Sequence, residues 1–163
     1  MALSDENGEA VLKLPLRTQS FFRDNIEELF QLGAATIHPG NKIEKFKSVK
    51  VNKKKLDDII ENKVSFIKID VEGFEGMVIR GALSWLRGIS TQNKILPVFI
   101  VEVAWGHELH PYAEENFETY RELVSIGYCE IVLPVIYTMD VLFIPRKIDP
   151  SCSKYKLWEG GRI

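Results

Sequence analysis

The chain is short of the features that would place it at once. Cysteine is nearly absent, with Cys129 and Cys152 alone in 163 residues. Two such cysteines make neither a disulfide framework nor a zinc site, so a reducing, cytoplasmic setting is the simpler expectation. Long apolar runs are missing too. The longest, Ile95 to Trp105, is interrupted by Glu102 and falls far short of the ~20 residues that cross a bilayer, so no membrane span is expected. The opening Met1-Ala2-Leu3-Ser4-Asp5-Glu6-Asn7 is acidic where a signal or transit peptide needs basic and apolar residues. Charge of one sign is not in excess. The net value of -2 gives no reason to expect nucleic acid or an anionic membrane as partner. Finally there is no G-x-G-type loop. Gly160-Gly161 sits in the tail, and Gly73, Gly76 and Gly81 follow a single strand.

What is present suits a packed protein. The apolar share is 45% and the charged share 27%, ordinary for a globular chain. The length suits one domain, expected over residues 1–147 with a loosely ordered tail over 148–163.

Ala10-Val11-Leu12-Lys13-Leu14 reads as a short strand stopped by Pro15. Phe21, Phe22, Ile26, Leu29 and Phe30 have mixed helical spacing, which predicts a short helix over 20–32. Residues 33–41 read as loop, with a turn at His38-Pro39-Gly40. Lys42 to Lys55 holds seven lysines, with Val49 and Val51 alternating among them. That pattern predicts an edge strand kept soluble by its lysines, in preference to an anion-binding patch. Leu56-Asp57-Asp58-Ile59-Ile60 predicts a short helical turn.

Val64 to Asp70 is rich in β-branched and aromatic residues, and predicts a buried strand. Phe74, Met77, Val78, Gly81, Ala82 and Trp85 then form one apolar stripe of a helix. Leu96 to Val103 is a second near-continuous apolar strand, suited to a parallel sheet covered on both faces. A helix over 112–125 ends at Gly127. Tyr128–Leu133 and Met139–Ile144 are strands too closely joined for a crossover, hence antiparallel. The fold class is α/β, with parallel strands joined by right-handed crossover helices and a C-terminal antiparallel pair.

Asp70, Glu72 and Glu75 crowd the junction between the first apolar strand and its helix. Ligands of open α/β sheets bind beyond the carboxyl ends of strands, and Gly73 lets a ligand approach the backbone there. Glu72 and Glu75 also suit a first helical turn, where the helix dipole favours carboxylates. Asp70 and Glu72 are the candidate catalytic residues. Glu75 is a candidate substrate contact, and so is Glu102, which an adjacent parallel strand would bring to the same ligand. His107, in the loop beyond Glu102, is a candidate general base. No metal set is assigned, because three carboxylates suit magnesium but their spacing is not diagnostic. A metal-dependent nuclease built on Asp70 and Glu102 is disfavoured, since such enzymes usually carry lysine where Ala104 stands.

The block Phe66-Ile67-Lys68-Ile69-Asp70-Val71-Glu72-Gly73-Phe74-Glu75, with Val78-Ile79-Arg80-Gly81-Ala82 and Val101-Glu102-Val103, resembles the signature half of the FkbM-type S-adenosylmethionine-dependent methyltransferases. Ala2-Leu3-Ser4-Asp5 with Gly8 resembles the end of that family's third core strand, and Asp140-Val141-Leu142-Phe143-Ile144-Pro145 its closing strand. The resemblance covers residues 2–146. It implies a Rossmann-like fold, S-adenosylmethionine as cofactor and a small-molecule or sugar hydroxyl as acceptor. Ala2, Leu3 and Ser4 would lie near the adenine, and Asp70 and Glu72 would border the methyl donor and acceptor. Family members carry a glycine-rich cofactor turn ahead of the Ala-Leu-Ser-Asp point, which Met1 here precedes by one residue. The sheet is therefore expected to be incomplete and this chain to be inactive or a weak cofactor binder. Its first apolar strand would leave a free edge, through which a homodimer or a non-catalytic partner-binding module could form.

Overall fold

The computed structural model describes residues 1–21, 25–30, 35–38, 44–60, 63–105, 108–109, 113–134 and 138–154. They form two mixed sheets with three α-helices.

The first sheet contains β1 (Ala2–Leu3), β2 (Gly8–Phe21), β3 (Asn25–Phe30) and β4 (Phe46–Lys54), in the order β1-β4-β2-β3. Three expectations fail here. Pro15 does not stop β2 but marks where its partner changes: Gly8–Pro15 pair with β4, and Leu16–Phe21 pair with β3. A residue with no amide to donate is tolerated at such a handover. The helix expected over 20–32 is instead a hairpin, with Phe21 opposite Asn25. A handful of aromatic and branched residues fits either period, and a long partner strand decides it. The lysine-rich segment forms β4 as expected, but β4 is an inner strand between β1 and β2. Its lysines tolerate that place because the sheet leaves one face to water. Lys47 and Lys50 are exposed, while Val49 and Val51 are half-buried.

The second sheet has β5 (Phe66–Ile69), β6 (Val98–Trp105), β8 (Tyr128–Pro134) and β9 (Thr138–Pro145) in the order β5-β6-β9-β8, with β7 (Glu108–Leu109) beside the end of β6. β5 and β6 are parallel, with Ile69 level with Val101. The crossover between them carries α1 (Glu75–Arg80) and α2 (Leu83–Thr91). β8 and β9 are antiparallel, as their short connection requires. Parallel pairing among the described strands is thus confined to β5–β6 and β1–β4.

The helix read as continuous from 74 to 85 is broken at Gly81-Ala82. A Cβ on Gly81 would lie 2.1 Å from the Ser4 carbonyl oxygen, so the backbone just after β1 packs where no side chain fits. Asp57, in the expected turn at Leu56–Asp58, takes up the groups freed by the break. Its amide donates to the Gly81 carbonyl at 2.8 Å, and its carboxylate accepts from the Trp85 amide at 2.9 Å. The latter caps α2 from outside its own sequence.

The third helix, α3 (Ala113–Ile126), ends at Gly127, whose φ of +125° suits glycine. All three helices lie against one face of the second sheet. There Phe99, Val101, Val141 and Phe143 meet Val78, Ile79, Leu86, Tyr120 and Leu123. Ile100, Leu142 and Ile144 on the opposite face are only half-buried, so cover on both faces is not complete among the described residues. β5 has a single strand partner among them and exposes 54% of Phe66.

The cysteines also depart from expectation. Cys129 of β8 and Cys152 are joined as a disulfide, and both are buried. Pairing removes the ground on which a reducing compartment was expected, because two distant cysteines need no motif spacing to meet in the fold. The segment after Lys147 includes a 3-10 turn at Pro150–Lys154 held by that bond. No helix among the described residues is long and apolar enough to cross a membrane.

Candidate functional site: a carboxylate cluster at the ends of two parallel strands

β5 delivers its chain into a tight turn, Asp70-Val71-Glu72-Gly73. Glu72 and Gly73 both have left-handed backbones, with φ of 55° and 97°. A side-chain-bearing residue at positive φ costs of the order of 1 kcal/mol and persists only where its surroundings hold it. Two holds are visible. Glu75 Oε1 accepts from the Val71 and Gly73 amides at 3.1 and 3.0 Å. From the other sheet, the Thr36 hydroxyl donates to the Glu72 carbonyl at 3.2 Å. Thr36 Oγ1 itself accepts from the His38 amide at 3.0 Å, and the His38 ring packs edge-on against Phe74.

Glu75, expected from the sequence as a substrate contact, thus has one carboxylate oxygen taken by two amides of the turn. It is fully buried and faces inward. Asn116 of α3 completes the arrangement: its Nδ2 lies 3.5 Å from Glu75 Oε2, and its Oδ1 accepts from the Gly76 amide at 2.8 Å. A Cβ on Gly76 would fall 2.2 Å from that oxygen, so α1 and α3 touch through a glycine.

Asp70, Glu72 and Glu102 come together as expected. One carboxylate oxygen from each lies within 4.8 Å of the other two. The cause is strand register: Lys68 of β5 is level with Ile100 of β6, which sets Asp70 and Glu102 on the face away from the helices. Asp140 of β9 pairs with Glu102 and adds a further negative charge. Lys68 Nζ reaches Asp70 Oδ2 at 2.8 Å across the exposed side of the cluster.

Burial first, then the charges of Asp70 and Glu75, push the Glu72 carboxyl from 4.5 up to about 7. Burial also raises Glu102, helped by its hydrogen bond to Asp70 and by the charges of Asp70, Glu72 and Asp140. Lys68 is raised by its bond to Asp70 and the surrounding acids. Near neutral pH Glu72 can take up or release a proton, as a general base must.

The residues expected near the adenine separate. Ser4 is buried, donates to Asp5 Oδ1 at 3.0 Å, and lines a cavity of about 550 Å³ with Asp5, Glu6, Lys13, Phe74 and Met77. Leu3 instead faces a smaller apolar groove of about 160 Å³ along β5, beside Ile67, Ile69 and Val71. Ala2 is paired to Lys53 in β1. His107 lies outside the described residues. Sequence reasoning gave no role at the site to Lys68, Asp140, Thr36 or Asn116. Lys68 and Asp140 carried a signal, being charges in otherwise apolar strands. Asn116 carried one too, as a polar residue on the buried stripe of α3. Thr36 carried none.

The sequence profile of the methyltransferase FkbM domain matches residues 1–126. The chain belongs to that family. No curated protein matches it. Among solved structures it is similar to the methyltransferase FkbM from Methylobacillus flagellatus KT, at 25% identity and a TM-score of 0.40. That similarity covers 58% of this chain and 23% of the other, so the chain spans under a quarter of that FkbM protein. The FkbM profile contains the carboxylate turn, both strands that bear it and the Ser4 cavity.

Proposed function

We propose that this FkbM chain carries the acceptor side of an S-adenosylmethionine-dependent O-methyltransferase, acting on a hydroxyl of a small molecule or sugar. Glu72 is the observation that carries the reading: a carboxyl poised near pH 7 with no hydrogen-bond donor among the described residues, at the carboxyl end of the signature strand. The bound cofactor supplies an electrophilic methyl group on a sulfonium. The protein must align a hydroxyl oxygen with it and take the hydroxyl proton. Glu72 accepts that proton, and Asp70 and Glu102, joined to each other by a hydrogen bond, orient the hydroxyl.

The cofactor fit is partial. Ser4, Asp5, Phe74 and Met77 offer a cavity large enough for a nucleoside, with Phe74 directly after the carboxylate turn. The sequence contains no glycine-rich turn for the rest of the cofactor. Calorimetric titration of S-adenosylmethionine into the 163-residue chain is therefore expected to show weak or no binding, and micromolar binding would overturn this. In any longer product of the same gene that turns over labelled cofactor, Glu72→Gln and Asp70→Asn should each lower turnover at least ~100-fold. Undiminished turnover in both variants would sink the assignment.

A second reading is supported by β5, which has one strand partner among the described residues, a half-exposed Phe66 and an apolar groove alongside. A non-catalytic module would use this edge to pair with a second copy. Sedimentation of the purified chain decides it: a dimer that Phe66→Lys dissociates supports pairing, and a monomer at all concentrations removes it.

A further inference from the structure

We propose that a cavity at the amino ends of β5 and β6 binds a small amphipathic carboxylate, its apolar body against Trp85 and its head between Lys63 and Lys94. The cavity measures about 590 Å³, within the roughly 300–1,000 Å³ of small-molecule sites. It lies at the opposite ends of these strands from the carboxylate cluster, and binding there does not depend on methyl transfer.

The floor is apolar. Val64, Trp85 and Ile89 line it, each half-buried. Ile95, which also lines the cavity, leaves 59% of its surface exposed. The walls are fixed by hydrogen bonds before any guest arrives. At the end of α2 the Asn93 amide donates to the Ser90 carbonyl at 3.1 Å, and the Lys94 amide to the Ile89 carbonyl at 3.2 Å. With Asn93 left-handed at a φ of 58°, this is the pattern that closes a helix and turns the chain away. It delivers Lys94 and Ile95 to the cavity. Lys147 clamps the turn, donating to Asn93 Oδ1 and to the Lys94 carbonyl, the latter at 3.4 Å. The wall at Lys63 and Val64 is tied in where the Val98 amide donates to the Ser65 carbonyl at 2.9 Å. A cavity held open in this way loses little freedom when a guest binds.

The rim is cationic. Among the described residues no carboxylate lies within ion-pair reach of Lys63, Lys94 or Lys147, whereas Lys50, Lys53, Lys55 and Lys68 each face one. Lys147 directs its ammonium to the turn, so Lys63 and Lys94 are left to meet an anion. The balance favours a single negative charge. The C-terminus of α2 ends at the same rim with about half a negative charge, which offsets part of the lysine charge. A carboxylate suits that better than a phosphate monoester, which carries about -1.5 to -2. Lysine offers a point charge with no fixed fork, so the head is chosen by charge, and burial of the apolar body supplies the rest of the affinity.

Decanoate, kept below its micelle-forming concentration, is titrated calorimetrically into the full chain, with decan-1-ol as the uncharged counterpart. One decanoate per chain is expected, bound at least about 5-fold more tightly than the alcohol and weakened by salt. Lys63→Gln/Lys94→Gln should weaken decanoate by about the same factor and leave the alcohol unchanged. Ile95→Asp, at an exposed position, should weaken both ligands, decanoate the more. Lys50→Gln, on the first sheet, should change neither. Circular dichroism establishes that the variants are folded. Alcohol bound as tightly as decanoate, decanoate binding undiminished in the double variant, or no binding at millimolar decanoate would each overturn the proposal. So would attachment to micelles or lipid vesicles alone, which would make the patch a membrane contact. A chain that binds decanoate and transfers no methyl group would leave the proposal standing while the proposed function fell.

Discussion

Replacing Glu75 separates a structural carboxylate from a substrate contact, and the structure sets the size of the effect. Glu75→Ala strands the Val71 and Gly73 amides, each of which now donates to Oε1. An unmet buried donor costs about 1–3 kcal/mol, and a cavity opens in a site with no solvent access. The two amides alone come to about 2–6 kcal/mol at 1–3 each, with the part-buried Val71 amide at the lower end, a large share of the 5–15 kcal/mol that holds a typical domain folded. Glu75→Gln should be milder. The remaining carbonyl can keep both amides, but the new Nε2 meets the Asn116 Nδ2, a donor facing a donor. Asn116 cannot turn over without losing the Gly76 amide, so about 1–2 kcal/mol is expected. Urea unfolding of the two variants, followed by circular dichroism and fluorescence together, measures both. A loss below ~1 kcal/mol for Glu75→Ala would refute the inward role. So would a Glu75→Gln protein of undiminished stability that no longer binds an acceptor.

Three other outcomes are expected. Glu72 binds its proton more tightly folded than unfolded, so its contribution to stability is full below pH ~4.5 and is lost as pH rises through about 7. The ceiling is ~3 kcal/mol at 1.36 kcal/mol per unit, and screening in a partly open cleft reduces it to roughly 1–2. In EDTA, wild type should therefore lose more stability than Glu72→Gln between pH 5 and pH 8, and the reverse order would contradict the burial argument. Cys152→Ser opens a bond between residues 23 apart in sequence and should cost about 3 kcal/mol. Intact mass with and without reductant tells whether the bond forms in the purified protein, and denaturant midpoints give its worth. Tyr120 buries a hydroxyl without a partner among the described residues. Tyr120→Phe should accordingly be neutral or stabilising by up to about 1 kcal/mol, and a lower thermal midpoint would reveal a partner for that hydroxyl.

The second sheet was legible because its strands announce themselves. Phe66–Ile69 and Val98–Val103 are dense in branched and aromatic residues, and the short link from β8 to β9 forces them antiparallel. The carboxylate cluster followed from that sheet, since neighbouring parallel strands set Asp70 beside Glu102 whatever else the fold does. The first sheet was less legible. Residues 20–32 have no periodicity strong enough to choose helix or strand, and the choice falls to the hairpin pairing of β3 with the end of β2, whose other half is held by β4. The break at Gly81 and the inward turn of Glu75 depend on Ser4 and Asn116, contacts between segments distant in sequence. No local pattern encodes such contacts. The disulfide was missed for the same reason.

Thr36 is the described residue whose side chain bonds across from the first sheet to the carboxylate turn, through one hydroxyl on the Glu72 carbonyl. The clustered acids stand on one sheet and Thr36 beside the other, stitched by a contact to main chain, which any residue at position 72 would offer. Side chains of the first sheet can therefore change while the acid turn keeps its place, so long as position 36 retains a hydroxyl to hold the stitch.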